Sequence, residues 1–156
     1  MIRDAIDISR EALIKPFEGY GKKLPNGGCK AYPDPGTGKE PWTIGWGTTG
    51  PEVKQDTVWS EEQAQNALDN EIVGKCVGLL SYSPTLIKED DRRLAALISF
   101  AYNCGLGNYR ISTLRKRVEA RDWEGARQEI IKWNKAAGRV LPGLTRRRTA
   151  ESAFLK

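Results

Sequence analysis

Between Gly19 and Pro51 the chain carries nine glycines and five prolines, a density of turn residues that rules out a helix or a long strand over that segment. Tyr32, Trp42, Ile44 and Trp46 are the strand-like residues between the turns, so the segment reads as a small irregular β-lobe in which Thr43 opens a glycine-rich strand. The pattern on both sides is helical. Ser9 reads as the N-cap of a short helix over about 10–18, where Leu13, Ile14 and Phe17 share a face, Pro16 distorts the last turn and Glu18 stands at the end. Ser60 and Gln63 frame a capping box, and Ala64, Ala67, Leu68, Ile72 and Val73 continue a helical stripe to about residue 79. A central apolar helix follows over about 89–103, and shorter helices are expected at about 113–120, 123–134 (capped by Asp122) and 144–155. The spacing predicts one α+β domain over 1–156: a β-lobe at about 19–58, a connecting helix at about 60–79, and an α-lobe from about 80 that includes the N-terminal helix.

Composition narrows the chemistry. The chain has no histidine, which excludes a Ser-His-Asp hydrolase, a Cys-His peptidase and a His-ligated zinc amidase as self-contained activities. Cys29, Cys76 and Cys104 are odd in number and fit neither a paired disulfide framework nor metal-binding spacing, so they read as reduced, with one disulfide plus a free thiol as the alternative. No uninterrupted apolar stretch is long enough for a membrane span, and the charged N-terminal residues do not resemble a signal sequence. Positive charge concentrates late: residues 1–104 carry 12 basic and 15 acidic side chains, and residues 105–156 carry 13 and 5. A basic face of that kind suits any polyanion, whether nucleic acid, lipid phosphate or an anionic wall, and its plain alternative is solvation.

Phe17 to Gly50 reads FEGYGKKLPNGGCKAYPDPGTGKEPWTIGWGTTG, placing Glu18 at a helix end, Asp34 in a turn between prolines and Thr43 at the start of a glycine-rich run. Acetal hydrolysis needs a proton donor for the leaving oxygen and a second carboxylate that assists water or shields the cationic centre, and it needs neither histidine nor a metal. The run TIGWGTTG lacks the order of a phosphate-binding loop. Its glycines permit close backbone approach.

The succession EG, KAYPDP and WTIGWG closely resembles the catalytic lobe of phage lysozymes of glycoside hydrolase family 24, the T-even phage type. SFAYNCGLG, STLRKRVEARDWEGA, IIKWNKAAGRVLPGL and RRxxE resemble the helical-lobe signatures of the same family, in the same order, so that the likeness spans about residues 9–155. The resemblance implies a lysozyme-like fold with its cleft between the lobes, and hydrolysis of the β-1,4 bond between N-acetylmuramic acid and N-acetylglucosamine in peptidoglycan, for host lysis. It implies Glu18 as general acid, Asp34 as the carboxylate that orients or activates water, and Thr43 as the hydroxyl that fixes that water. It favours inversion, although the interval from Glu18 to Asp34 is longer than in the short-loop T-even type.

Gly47, Thr49, Tyr102 and Thr113 are the implied sugar contacts, and Arg147 is a candidate partner of Glu18, with Glu151 or solvent as its alternatives. Trp123 and Trp133 read as packing residues, Trp46 is open between packing and binding, and Thr48 stands where many relatives carry histidine. No cofactor or metal is expected. A monomer is expected, without a specific nucleic-acid partner, held in the host cytoplasm until a holin gives it access to the wall. The rival readings are a lytic transglycosylase acting on the same bond, which leaves a 1,6-anhydro end, and a non-enzymatic cationic module that binds nucleic acid or membranes through residues 110–148.

Overall fold

The computed structural model describes residues 2–35 and 37–156. The backbone divides into two compact units, one of Met1–Phe17 with Ile72–Lys156 and one of Glu18–Glu71. The fold is α+β, mostly helical with two small antiparallel sheets.

The larger unit begins earlier than the Ser9 cap implies. Helix α1 runs over Ile2–Ile8, a π-helical turn follows over Ser9–Ile14, and α2 covers Lys15–Glu18. Ser9 therefore lies inside a continuous helical run and is not an N-cap; it is fully buried, and its hydroxyl has no hydrogen-bond partner among the described residues. Pro16 explains the widened turn. Its ring crowds the carbonyl one turn back and it has no N–H to offer, so the distortion expected at the end of the helix is taken up before the proline, where Lys15 N–H donates five residues back to the Arg10 carbonyl.

Helix α4 (Asp91–Cys104) is the core of this unit. Asp90 caps it by accepting from the Arg92 N–H, and every residue from Leu94 to Ala101 is buried. It packs against α1, the π-helical turn and α8 (Pro142–Phe154). Leu94, Leu97, Ile98 and Phe100 each contribute about 1.5–3 kcal/mol through apolar burial. Phe100 meets Trp133 edge-to-face at 5.5 Å and Arg93 lies 4.5 Å over Trp123, so both of these tryptophans pack as expected.

Helices α5 (Leu106–Ile111), α6 (Thr113–Glu119) and α7 (Trp123–Ile131) complete the helical layer, the last two capped by Ser112 and Asp122. Between α7 and α8, Lys135–Ala136 and Arg139–Val140 pair as a two-stranded hairpin.

In the smaller unit Cys29–Lys30 (β1) pairs antiparallel with Val58–Trp59 (β2). Cys29, Ala31, Ile44, Val53 and Ala64 form its core, with Tyr20, Trp42, Trp46 and Trp59 packed against it. Helix α3 runs over Glu61–Tyr82; its residues to Glu71 belong to the smaller unit and the rest to the larger. The capping box at its start is formed: Gln63 N–H donates to the Ser60 hydroxyl at 3.1 Å, and Ser60 N–H donates to the Gln63 side chain at 2.8 Å. All three cysteines are free.

The position of Ser9 yields the first prediction. An N-cap serine replaced by alanine costs about 1 kcal/mol, whereas a buried, unpartnered hydroxyl inside a helical run contributes only its desolvation penalty. Ser9→Ala is expected to leave stability in urea denaturation unchanged or to raise it by up to about 1 kcal/mol; a loss of that size would contradict the assignment.

Candidate active site

Glu18 is the last residue of α2 and the first of the smaller unit, and it is half-buried. The residues that frame it come from the WTIGWG segment, which is not a strand. Thr43 makes a single antiparallel bridge with Tyr32, the two exchanging backbone hydrogen bonds of 2.9 Å in each direction. Ile44 then pairs with Thr48 in the same way, closing a tight turn over 45–47. Gly45 (φ 64°) and Gly47 (φ 87°) both adopt left-handed backbone, and that is why the run turns where its alternation suggests extension. At Gly47 the turn meets the acid: a Cβ there would stand 2.9 Å from Glu18 Oε2.

Tyr32 joins the two sides of this arrangement. Burial first, and the negative charge of Glu18 second, raise its phenol above the ordinary value. Asp34 lies two residues beyond, half-buried in a tight turn. Its backbone N–H donates to the Lys39 carbonyl at 3.0 Å, its carbonyl accepts from Gly38 at 2.7 Å, and its carboxylate accepts from the Thr37 N–H at 3.1 Å. The smaller unit thus sets Gly47 against Glu18 and pairs Thr43 with Tyr32, with Asp34 anchored in the following turn.

The other expected residues fall as follows. Thr49 is exposed beside Gly50 and Pro51 on a cavity of about 710 Å³ that Trp42 also lines. Tyr102 is half-buried on α4, and Thr113 is exposed as the first residue of α6. Trp46 packs on Tyr20 with ring centroids 4.4 Å apart. Thr48 is half-buried, and its hydroxyl lacks a hydrogen-bond partner among the described residues. No group of three His, Cys, Asp or Glu among the described residues could hold a metal.

Arg147 and Arg148 are buried, as is Glu151. Glu151 Oε1 accepts from Arg148 at 2.8 Å and from the Ser99 hydroxyl at 3.0 Å, and it lies 3.4 Å from Arg147 Nε. Burial pushes the Glu151 carboxyl up to about 7, against the pull of Arg148, Arg147 and Ser99. The Arg147 guanidinium also lies 5.9 Å over the ring of Phe17, the residue before Glu18. Of the partners considered for Arg147 from sequence, Glu151 is therefore present. The buried Arg148 and the framing residue Tyr32 were not singled out from sequence for such roles. For Tyr32 the signal was its place in KAYPDP, two residues before the candidate acid.

The sequence pattern of the phage lysozyme family matches residues 22–151. The chain belongs to the phage lysozyme family. An endolysin of Bacillus phage B103 is 38% identical over 141 residues, covering 89% of this chain and 49% of that protein. An endolysin of Acyrthosiphon pisum secondary endosymbiont phage 1 is 32% identical over 148 residues and covers 92% of both chains. The solved endolysin from Escherichia coli O157:H7 phage FAHEc1 superposes with a TM-score of 0.76 at 26% identity, over 98% of this chain and 90% of that one. The α+β fold of this phage lysozyme family member is thus lysozyme-like. The chain spans about half the length of the Bacillus phage relatives it matches.

The contact at Gly47 separates a structural role from a catalytic one. In Gly47→Ala the flexible carboxylate yields more readily than the backbone, so the fold loses only the left-handed-backbone penalty, about 1–2 kcal/mol. If Glu18 is the working acid, its displacement lowers the rate of wall hydrolysis by about 10-fold to 100-fold. Rates measured where the variant is fully folded check this, and an unchanged rate would show that the contact is structural only.

Proposed function

We propose that this chain hydrolyses the β-1,4 bond between N-acetylmuramic acid and N-acetylglucosamine in peptidoglycan, as an endolysin of the T-even type within glycoside hydrolase family 24. The observation that carries this reading is the placement of the Glu18 carboxylate at a helix end against the bare backbone of Gly47, in the same unit as Thr43 and Asp34. Membership of the phage lysozyme family supports it.

In this reading Glu18 protonates the departing glycosidic oxygen. Asp34, held in its turn by the Lys39, Gly38 and Thr37 hydrogen bonds, stays fixed while it orients or activates the attacking water. The Thr43 hydroxyl holds that water, on a backbone pinned to Tyr32 from both directions. Gly47 and Thr49 bring bare or small backbone to the sugar chain, Tyr102 offers an aromatic face, and Thr113 offers a hydroxyl. Arg147 is the proposed partner of Glu18. The protein works as a monomer without a cofactor, accumulates in the host cytoplasm, and reaches the wall after a holin has opened the inner membrane.

The test is clearing of outer-membrane-permeabilised Gram-negative cells by the wild type and by Glu18→Gln, with the released muropeptides weighed by mass spectrometry. Wild type is expected to clear and to leave reducing muramic ends, and the variant to be slower by at least about 100-fold, the contribution of a positioned proton donor. Anhydro ends would instead establish a transglycosylase. Equal clearing by both proteins would assign the killing to the basic surface.

A further inference from the structure

The smaller unit is acidic, with five lysines against nine Asp and Glu over 18–71, yet three of its lysines converge on one place. Lys22, Lys23 and Lys30 line a cavity of about 460 Å³ together with Tyr32, Trp42 and Asp56. The backbone puts the like charges side by side: the Lys30 N–H donates to the Lys22 carbonyl at 3.1 Å, and Lys23 bridges to Cys29, the residue before Lys30. Like charges on paired backbone repel. No carboxylate pairs with any of the three among the described residues. The larger unit behaves differently, since Arg93, Arg115, Arg127 and Arg148 each meet a carboxylate. Lys22 is also held at φ 52°, a left-handed conformation that a lysine adopts only at a cost.

A cavity of this size falls within the roughly 300–1,000 Å³ that holds small ligands. Its aromatic side chains offer apolar surface, and with Asp56 as the one carboxylate among three ammonium groups it suits a ligand with more than one negative charge. Its position indicates which ligand. Tyr32 lines the cavity, pairs with Thr43 and responds to the charge of Glu18, and Pro33, also on the lining, precedes Asp34. Because its lining includes Pro33, next to Asp34, and Tyr32, paired with Thr43, an occupant beside the proposed catalytic residues is part of the polymer being cut. In peptidoglycan the anionic groups nearest the scissile bond are the carboxylates of the peptide stem carried by muramic acid.

We propose that Lys22, Lys23 and Lys30, around Tyr32 and Trp42, form a binding site for the peptide-stem carboxylates of peptidoglycan. The proposal rests on the reading of this chain as a peptidoglycan hydrolase and adds to it a preference for peptide-bearing over bare glycan. Ammonium groups act here as mobile point charges, which suits carboxylates on a flexible peptide. They also offset locally the repulsion that an acidic unit exerts on an anionic strand.

The test is calorimetric binding of three soluble probes to the full chain: a reduced disaccharide-tripeptide from Gram-negative peptidoglycan, the same disaccharide without its peptide, and poly(glycerol phosphate). Wild type is expected to bind the peptide form about tenfold tighter than the bare disaccharide, with the difference shrinking as salt rises. The triple variant Lys22→Gln, Lys23→Gln, Lys30→Gln should lose that preference, and the triple arginine variant should keep it. Circular dichroism confirms that each protein is folded. A wild type without preference for the peptide, a preference that survives the glutamine variant, or lysine-dependent binding of poly(glycerol phosphate) alone would overturn the proposal. Because the readout is binding, a wild type that prefers the peptide but fails to cut would refute the hydrolase reading and leave the site standing.

Discussion

The approach of the Glu18 carboxylate to the backbone at Gly47 governs the architecture of the smaller unit. A residue without a side chain leaves the Glu18 carboxylate undisturbed at 47, and a left-handed backbone brings it there. The same turn returns Thr48 to pair with Ile44, and that pairing seats Ile44 in the core with Cys29, Ala31, Val53 and Ala64. One tight turn thus sets both the packing of the unit and the surroundings of its acid. Tyr32, pinned to Thr43, extends the arrangement to the turn that holds Asp34.

The two units handle charge in opposite ways. The larger one buries Arg147, Arg148 and Glu151 together, with Glu151 Oε1 taking contacts from both arginines and from Ser99. Desolvation makes such a group expensive, so the cluster serves to fix α8 against α4 more than to add net stability. The smaller unit leaves Lys22, Lys23 and Lys30 exposed and crowded, a repulsion that an anionic ligand relieves.

How much of this was legible in the sequence depended on how local each cause is. The capping box of Ser60 and Gln63 is a four-residue interaction and was readable as such, as was the stripe that makes α4 central. Ser9 misled because a serine before an apolar pattern looks alike at a cap and inside a helix; what decides is the helical backbone already present from Ile2. The WTIGWG run alternates like a strand, but its glycines make it a turn. Helix α5 was missed because it is only six residues long, with Gly105 before it and Gly107 inside it, and glycine disfavours helix. The Lys135–Val140 hairpin was missed because its strands are two residues long and exposed, and its turn depends on positive φ at Ala137 and Gly138. Glu18, Asp34 and Thr43 could be named from ordered motifs, whereas the neighbourhood of Glu18 could not. The lysine cluster was hidden by linear counting, which gave the first 104 residues a negative balance. Arg147 could be read as wanting a partner, Glu18 or Glu151 or solvent, but its burial with Arg148 comes only from the packing of α8 on α4.

The proposed reaction requires that the Glu18 carboxylate, set against Gly47, face the bond that is cut. A crystal structure of Glu18→Gln soaked with a wall tetrasaccharide tests it most directly. A glycosidic oxygen is expected within hydrogen-bond reach, about 2.6–3.2 Å, of the side chain at position 18, with the sugar chain passing the backbone of Gly47. A tetrasaccharide seated away from both residues, on a variant that remains folded, would contradict it.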